Sequence, residues 1–436
     1  MNILYVGDNR DRPNWGCRGT SIALYQLLSE KFTISNKITG DQIARTVNVG
    51  KLFPEFSNKL NVDWKRPKPI LSNLVILEDK LARKLGKSRD VIEPNLKTSV
   101  KDFLKYKNVK SQIESIYQWI EACDAMVVNG EGDMIFTSPP RRKLLFLLTV
   151  MEIANSLKKP IFYVNAMISD CPISGRNQDT TEQAVEILEK CQLVGLRDPV
   201  SFELVESFSR QISARFIPDA LFTWQRYFLE SELPKNGDFI IPYPEIDEYF
   251  GKLDFSQPFI CIGGTSLAPK RFDKAIPAYT HLVESLKKLG KTLILVQACT
   301  GDEFLQEVSR KTNVPFVPIN VSILMAGAIL SNANLFVSGR YHPSIFASLG
   351  GTPCIFLGSN SHKMRSLQDV LEYKEPHEFS AFPTERECEE ITELAFSLIA
   401  EGAERRQIIK NLAAKRAEEA KAVVHLISPS PMQATF

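Results

Sequence analysis

Short apolar runs that end in polar, glycine-bearing loops and lead into helical stretches recur along this chain. That alternation constrains the fold more than any other feature. Asn2 to Val6 ends in Gly7-Asp8, and helical periodicity follows over Thr20 to Leu28. Ala125 to Val128 leads into Asn129-Gly130-Glu131-Gly132-Asp133, read as a turn-rich loop, then into a helix over Arg142 to Lys158. Ile161 to Asn165, Leu193 to Leu196 and Ala214 to Ile217 are further strands, with helices over Thr181 to Cys191 and Val200 to Phe208 between them. A polar break, Leu233-Pro234-Lys235-Asn236-Gly237-Asp238, precedes a second half of the same kind. There Phe259 to Ile262, Thr292 to Gln297, Val314 to Pro318, Leu335 to Val337 and Pro353 to Leu357 read as strands. The pattern predicts an α/β fold of two Rossmann-like domains facing a cleft. The domains are expected at 1–235, with a basic insertion at 51–110, and at 236–382, with C-terminal helices and a frayed tail over 383–436.

Composition agrees with a globular protein of that size. The chain has 436 residues, 44% hydrophobic and 24% charged, with a formal net charge of +2 that selects no partner. MNILYVGDNRDRPNWG lacks a basic stretch followed by an apolar core, so no secretory leader is expected. The apolar run Leu144 to Met151 is far shorter than the ~18–20 residues of a membrane span. The eight cysteines form no CxxC pair and do not alternate with histidine at zinc-ligand spacing. They read as reduced core thiols of a cytoplasmic protein, and neither a metal nor a cofactor is expected. Charge is uneven: 51–110 holds 15 Lys/Arg and 7 Asp/Glu, a local net of +8, leaving −6 for the rest. One reading is a solvated helical excursion. The sharper one is a surface for an anionic lipid-linked or polymeric acceptor, peripheral at the inner face of a membrane, with Trp64 and Lys65-Arg66-Pro67-Lys68 its most membrane-like piece. The segment lacks the aromatic interleaving of a single-strand platform, so no nucleic acid is expected.

In an open parallel sheet, ligands bind outside the carboxyl ends of the strands. The loops after the strands therefore hold the candidates. Asn14-Trp15-Gly16-Cys17-Arg18-Gly19-Thr20 opens the first helix, where the glycines allow close backbone approach and exposed N–H groups attract anions, so that Asn14 and Gly16 are substrate-binding candidates, against the bland reading of a plain helix entry; it is neither a Walker loop nor GxGxxG. Asn129, Gly130, Glu131 and Asp133 place two carboxylates close together, as a general base or a hold for hydroxyls, against the bland reading of an acidic turn. In Arg197-Asp198-Pro199-Val200-Ser201, Asp198 caps a helix, and Arg197 either pairs with it or binds a carboxylate or phosphate. Gly263-Gly264-Thr265-Ser266 follows another strand. Arg340 and His342 are the strongest pair: a fixed cation and an imidazole at a strand end beside a helix N-terminus. Lys363 adds a third cation after the next strand, next to His362.

On these motifs the chain resembles the polysaccharide pyruvyl transferase family. The resemblance spans nearly the whole chain and rests on Asn14-Trp15-Gly16, the Asn129 to Asp133 loop, Arg197-Asp198-x-x-Ser201, Pro218-Asp219, and Arg340-x-His342 before a small-residue helix and Gly-Thr-Pro. It implies a GT-B-like architecture and transfer of pyruvate from phosphoenolpyruvate to sugar hydroxyls of a saccharide or lipid-linked saccharide acceptor. By motif match, Arg197, Arg340 and His342 are donor-binding or catalytic; by residue chemistry, His342 is a proton donor or a phosphate clamp, and Asp133 or Glu131 is the base, with Asp8 a weaker candidate. The chain departs from the family pattern at NGEGD, at Cys17-Arg18 and in the long basic insertion. The rival readings are a nucleotide-sugar glycosyltransferase and a non-catalytic binding protein on the same fold.

Overall fold

The computed structural model describes residues 1–47, 90–228, 255 and 257–427. The segment at Trp64 to Lys68, the break at Leu233 to Asp238 with the domain boundary expected there, and the tail from Ser428 lie outside those residues.

Strands β1 (Asn2–Asp8), β2 (Thr33–Thr39), β3 (Ala125–Phe136), β4 (Ile161–Asp170), β5 (Leu193–Leu196) and β6 (Ala214–Phe216) form one sheet in the order β2-β1-β3-β4-β5-β6. Strands β7 (Phe259–Thr265), β8 (Thr292–Val296), β9 (Phe316–Val317), β10 (Leu335–Gly339), β11 (Cys354–Leu357) and β12 (Glu378–Phe379) form another in the order β12-β11-β10-β7-β8-β9. Every pairing among the described strands is parallel. Central strands such as β7 are buried along their whole length, which explains why they read as unbroken apolar runs. Strand order reverses once in each sheet, between β1 and β3 and between β7 and β10, and such reversals open a crevice at the carboxyl ends.

One local expectation is corrected, and two features are added. The Asn129 to Asp133 stretch is not a loop, because β3 runs through it to Phe136 and keeps pairing with β4 after a register shift between Glu131 and Met134. Glu131 takes up that irregularity in the left-handed region, at φ 39°. The described part of the chain just before β3 is helical, over Leu96–Tyr106 and Ser111–Ala122, which bury Leu96, Phe103, Ile113, Ile116 and Ile120. Thr33–Thr39 is an edge strand whose half-exposed residues carry little apolar signal. The C-terminal stretch is helical, over Glu385–Ala400, Gly402–Ala420 and Val423–Leu426. No helix among the described residues is long and apolar enough to cross a membrane.

The halves are joined by packing. Helix Trp15–Ser29 of the first half lies against helix Tyr341–Leu349 of the second. Two glycines allow the approach: a Cβ at Gly16 would sit 2.7 Å from His342 Cβ, and one at Gly19 would sit 2.7 Å from Phe346 Cζ. Trp15, Leu24, Leu221, Phe336, Ile345 and Phe346 belong to one apolar cluster fed by both sheets. The Trp15 indole N–H donates to the Ile319 carbonyl at 2.8 Å, and its backbone N–H donates to the Ala298 carbonyl at 3.0 Å. Helix Gly402–Ala420 then returns to the first half, where Gln225 Nε2 donates to the Lys410 carbonyl at 2.7 Å. Gly19→Val is expected to overpack the helix crossing and cost about 1–3 kcal/mol. A lower urea midpoint at constant slope would register it; an unchanged midpoint would mean that the helices do not depend on this close approach.

Candidate functional site

Arg197 leaves the end of β5, and Asp219 leaves the end of β6 through Ile217-Pro218. Both are buried, at 2% and 0% exposure. Arg197 Nη1 donates to Asp219 Oδ2 at 3.0 Å and lies 3.0 Å from His342 Nε2, which is itself 3.2 Å from Asp219 Oδ2. Thr20 Oγ1 donates to Asp219 Oδ1 at 2.6 Å, and the Leu221 N–H donates to the same oxygen at 2.9 Å. Burial alone would raise the Asp219 pKa; His342 and then Arg197 overcome it and hold the carboxyl well below the usual range. The Arg197 guanidinium also lies 4.5 Å from the centre of the Tyr341 ring. Burial lowers the His342 pKa, with Arg197 and Lys363 adding to it against the pull of Asp219.

Arg197 therefore does not pair with Asp198. That carboxylate caps helix Pro199–Phe208, accepting from the Ser201 N–H at 2.8 Å, and reaches across to the second half, where its Oδ1 lies 3.1 Å from His362 Nε2 and accepts from Ser366 Oγ at 3.0 Å. The Ser201 hydroxyl is spent in the same cluster, within 2.8 Å of Asp198 Oδ2 and 3.0 Å of the Ile168 carbonyl. Fully buried and so engaged, Ser201 is placed as a structural contact rather than a substrate contact.

Arg340 follows β10 at the start of helix Tyr341–Leu349. Its Nε and Nη2 donate to Asp302 Oδ1 at 3.1 and 2.6 Å. Gly264 explains how that carboxylate fits, since a Cβ there would lie 2.0 Å from Asp302 Oδ1. Gly264 thus serves the site from behind and does not line it. Lys363 Nζ donates to Asn360 Oδ1 at 2.9 Å and has no carboxylate within ion-pair distance among the described residues. Loss of water, followed by repulsion from Arg340 and Arg197, lowers its pKa to about 7.

The two sequence-adjacent carboxylates separate in role. Asp133 Oδ1 is 3.2 Å from Lys143 Nζ. Glu131, 5% exposed, accepts from Asn9 Nδ2 at 2.6 Å and Asn129 Nδ2 at 3.3 Å. Burial, then repulsion from Asp133, raises its pKa to about 7. Asn129 also donates to the Gly7 carbonyl at 3.2 Å, and Gly130 gives up its side-chain space to Tyr163, whose Cζ lies 2.5 Å from a Cβ there. Both support Glu131 from beneath. Asp8 is taken by Arg10, at 2.9 Å, and Lys37, at 3.4 Å.

A cavity of about 190 Å³ lies between the two walls. Asn14, Gly16, Glu131, Asp133, Arg197, Arg340, His342 and Lys363 line it; Asn129, Gly130, Ser201 and Gly264 do not. Asn9, Arg12, Lys143 and Asn360 line it as well and were not singled out from the sequence. Neither were Asp219 and Asp302 as partners of the arginines; the Pro218-Asp219 strand end was the only local hint of either. Cys17 and Cys299 face the cavity rather than a core; burial and then Glu131 push the Cys17 thiol up. The arrangement presents three cations from three strand ends to one small volume, opposite a carboxyl group able to change its proton near neutrality.

A family model described as polysaccharide pyruvyl transferase matches residues 49–361. No curated protein matches the sequence. Solved structures share the fold at low identity. UDP-N-acetylglucosamine 2-epimerase from Rickettsia bellii is 12% identical, with 98% of this chain and 95% of that one covered and a TM-score of 0.53. UDP-GlcNAc 2-epimerase from Neisseria meningitidis, bound to UDP-GlcNAc, is 11% identical, with 98% and 99% covered and a TM-score of 0.53. Trehalose-6-phosphate from E. coli, bound with UDP-2-fluoro glucose, is 11% identical, with 98% of each covered and a TM-score of 0.51. These likenesses establish the GT-B fold, with its two parallel sheets about a cleft. Asp219→Asn would leave Arg197 buried without its counter-charge and is expected to cost about 3–5 kcal/mol in urea unfolding. A loss below about 1 kcal/mol would show that Arg197 does not depend on that carboxylate.

Proposed function

The chain belongs to the polysaccharide pyruvyl transferase family, and on that premise we propose that it moves pyruvate from phosphoenolpyruvate onto hydroxyls of a cell-envelope or exported polysaccharide or its precursor. The observation that supports this donor is the convergence of Arg197, Arg340 and Lys363 on one small cavity. Phosphoenolpyruvate carries a carboxylate and a phosphate, and fixed cations match both. Each guanidinium is backed by a buried carboxylate, so little reorganisation is needed when the anion arrives.

In the reaction a proton adds to the donor's methylene carbon, and an acceptor oxygen bonds to C2 and loses its proton. The bond from C2 to the phosphate oxygen breaks, a second hydroxyl bonds to C2 in its place to close a ketal, and the proton of that hydroxyl leaves on the departing phosphate. Lys363, with its lowered pKa, supplies the proton to carbon. Glu131, on the opposite wall, takes the proton of the acceptor hydroxyl. His342 is buried and held between Asp219 and Arg197, so it clamps the donor site and does not deliver the proton. Asp133, paired with Lys143, holds the wall beside Glu131.

Purified protein incubated with phosphoenolpyruvate and a cell-envelope glycan mixture is expected to release phosphate and to yield a glycan carrying a pyruvate-sized mass gain. Phosphoenolpyruvate at ~100-fold over its Kd should add about 2.7 kcal/mol of stability. Stabilisation by a nucleotide sugar and none by phosphoenolpyruvate would place the chain among glycosyltransferases instead.

The pH dependence has a defined sign. Glu131 must be ionised, a condition met above about 7 and lost as pH falls. Lys363 must be protonated, a condition met below about 7 and lost as pH rises. Turnover should peak near neutrality and decline on both sides. Glu131→Gln is expected to lower kcat by roughly 10²–10⁴. Lys363→Arg should keep donor binding, lower kcat and erase the alkaline decline. A profile that stays flat through neutrality would remove both roles.

A further inference from the structure

A second cavity, of about 490 Å³, opens beside the first on the outer edge of the first sheet. Edge strand β2 contributes Asn36 and Lys37 to it, and Tyr25, Gln42 and Trp119 close it from the sides. Its chemistry differs from that of the first cavity. Trp119 is half-buried on helix Ser111–Ala122, packed on the apolar core of that half, and its indole N–H has no hydrogen-bond partner among the described residues. The Asn36 side chain is likewise unpaired among the described residues. Gln42 accepts from the Thr39 N–H through Oε1 at 2.8 Å, which leaves its Nε2 free to donate. Two cations share one buried carboxylate here: Arg10 grips Asp8 at 2.9 and 3.0 Å, and Lys37 lies 3.4 Å from Asp8 Oδ2. The trio carries one net positive charge, and Lys37 is half-exposed.

The two cavities share a wall. In the loop after β1, Asn9 and Arg12 line the first cavity and Arg10 lines the second. Gly40, next to Thr39, lies so close to this loop that a Cβ there would sit 1.9 Å from Asn9 Oδ1 and 2.9 Å from Arg12 Nε. A chain leaving the first cavity over this loop therefore arrives at Thr39 and Gln42.

We propose that the second cavity is a subsite for a carboxylated sugar unit of the acceptor, a few units along the polymer from the one modified. The inference rests on the reading of the acceptor as a saccharide. A pyranose ring offers a C–H face to an aromatic ring, hydroxyls to amides and, in a uronate, one carboxylate to one surplus cation. Trp119 takes the ring face, Asn36 and Gln42 take hydroxyls, and Lys37 with Arg10 takes the carboxylate. A polymer so held would gain affinity at the second site without any change at the reacting hydroxyl.

The test uses a galacturonate hexamer as the acidic probe and maltohexaose as the neutral one, with binding read by titration calorimetry on the full chain. The wild type is expected to bind the acidic hexamer in preference to the neutral one. Trp119→Ala should weaken that binding about tenfold, and Lys37→Gln should remove the preference for the acidic probe. Both variants should keep the stabilisation by phosphoenolpyruvate, which shows that the fold and the first cavity are intact. Absence of binding by the wild type, or equal binding by wild type and Trp119→Ala, overturns the subsite while leaving the donor reading in place. Loss of stabilisation by phosphoenolpyruvate in the wild type would instead strike the donor reading. If Trp119→Ala does not fold, Lys37→Gln decides the matter alone, since the position is half-exposed.

Discussion

At the Asp219 carboxylate the packing and the charge pairing of the two halves coincide. It gathers donors from the first helix, from the end of β5 and from its own backbone turn, and lies 3.2 Å from His342 Nε2 of the helix after β10. A buried guanidinium is tolerable only with a paired and well-bonded counter-charge. Asp219 supplies that charge to Arg197 and holds His342 beside it. The close crossing of helices Trp15–Ser29 and Tyr341–Leu349 depends on the same region, since Gly16 packs on the His342 side chain. Packing and charge pairing thus support each other at one place.

The cavity next to it draws its chemistry from loss of water. Dehydration disfavours whichever form of a group is charged, so it raises the pKa of a carboxyl group and lowers that of an amine. Glu131 and Lys363 stand on opposite walls and are driven from opposite directions to about 7. Glu131 does so from a left-handed backbone position inside a continuing ladder, a conformation that costs on the order of 1–3 kcal/mol and persists where the surroundings hold it. Asn9 and Asn129 do that holding. Arg197 and Arg340 keep their charge because each has a carboxylate behind it, and Lys363 has none among the described residues.

Much of the architecture was legible because buried parallel strands announce themselves as unbroken apolar runs. Edge strand Thr33–Thr39 was not, since half-exposed positions dilute its pattern. The helix over Leu96–Tyr106 was obscured by Lys97, Lys101 and Lys105 on its exposed face, although its inner residues recur at helical spacing. The Asn129 to Asp133 stretch read as a loop because its glycines and acids are turn formers. Continued pairing with β4, an interior strand, kept it extended through the shift. Among the site residues, Arg197, Arg340, His342 and Lys363 stood out as polar groups at strand ends, and they do line one cavity. Ser201 and Gly264 carried the same positional signal and are spent on packing.

By itself the amino-acid order determined the succession of the buried strands and most of the helices between them, the parallel pairing that follows from it, and the strand ends at which charged groups stand. Those are local properties, set by periodicity, chain length between elements and backbone preference. Only the tertiary structure decided which carboxylate answers which arginine, that Glu131 rather than Asp133 is left unpaired by a lysine, and that Asp302 reaches Arg340 through the space left by Gly264. Such pairings join residues far apart in the chain, and they depend on burial and on gaps of a few tenths of an ångström. No spacing along the sequence encodes either.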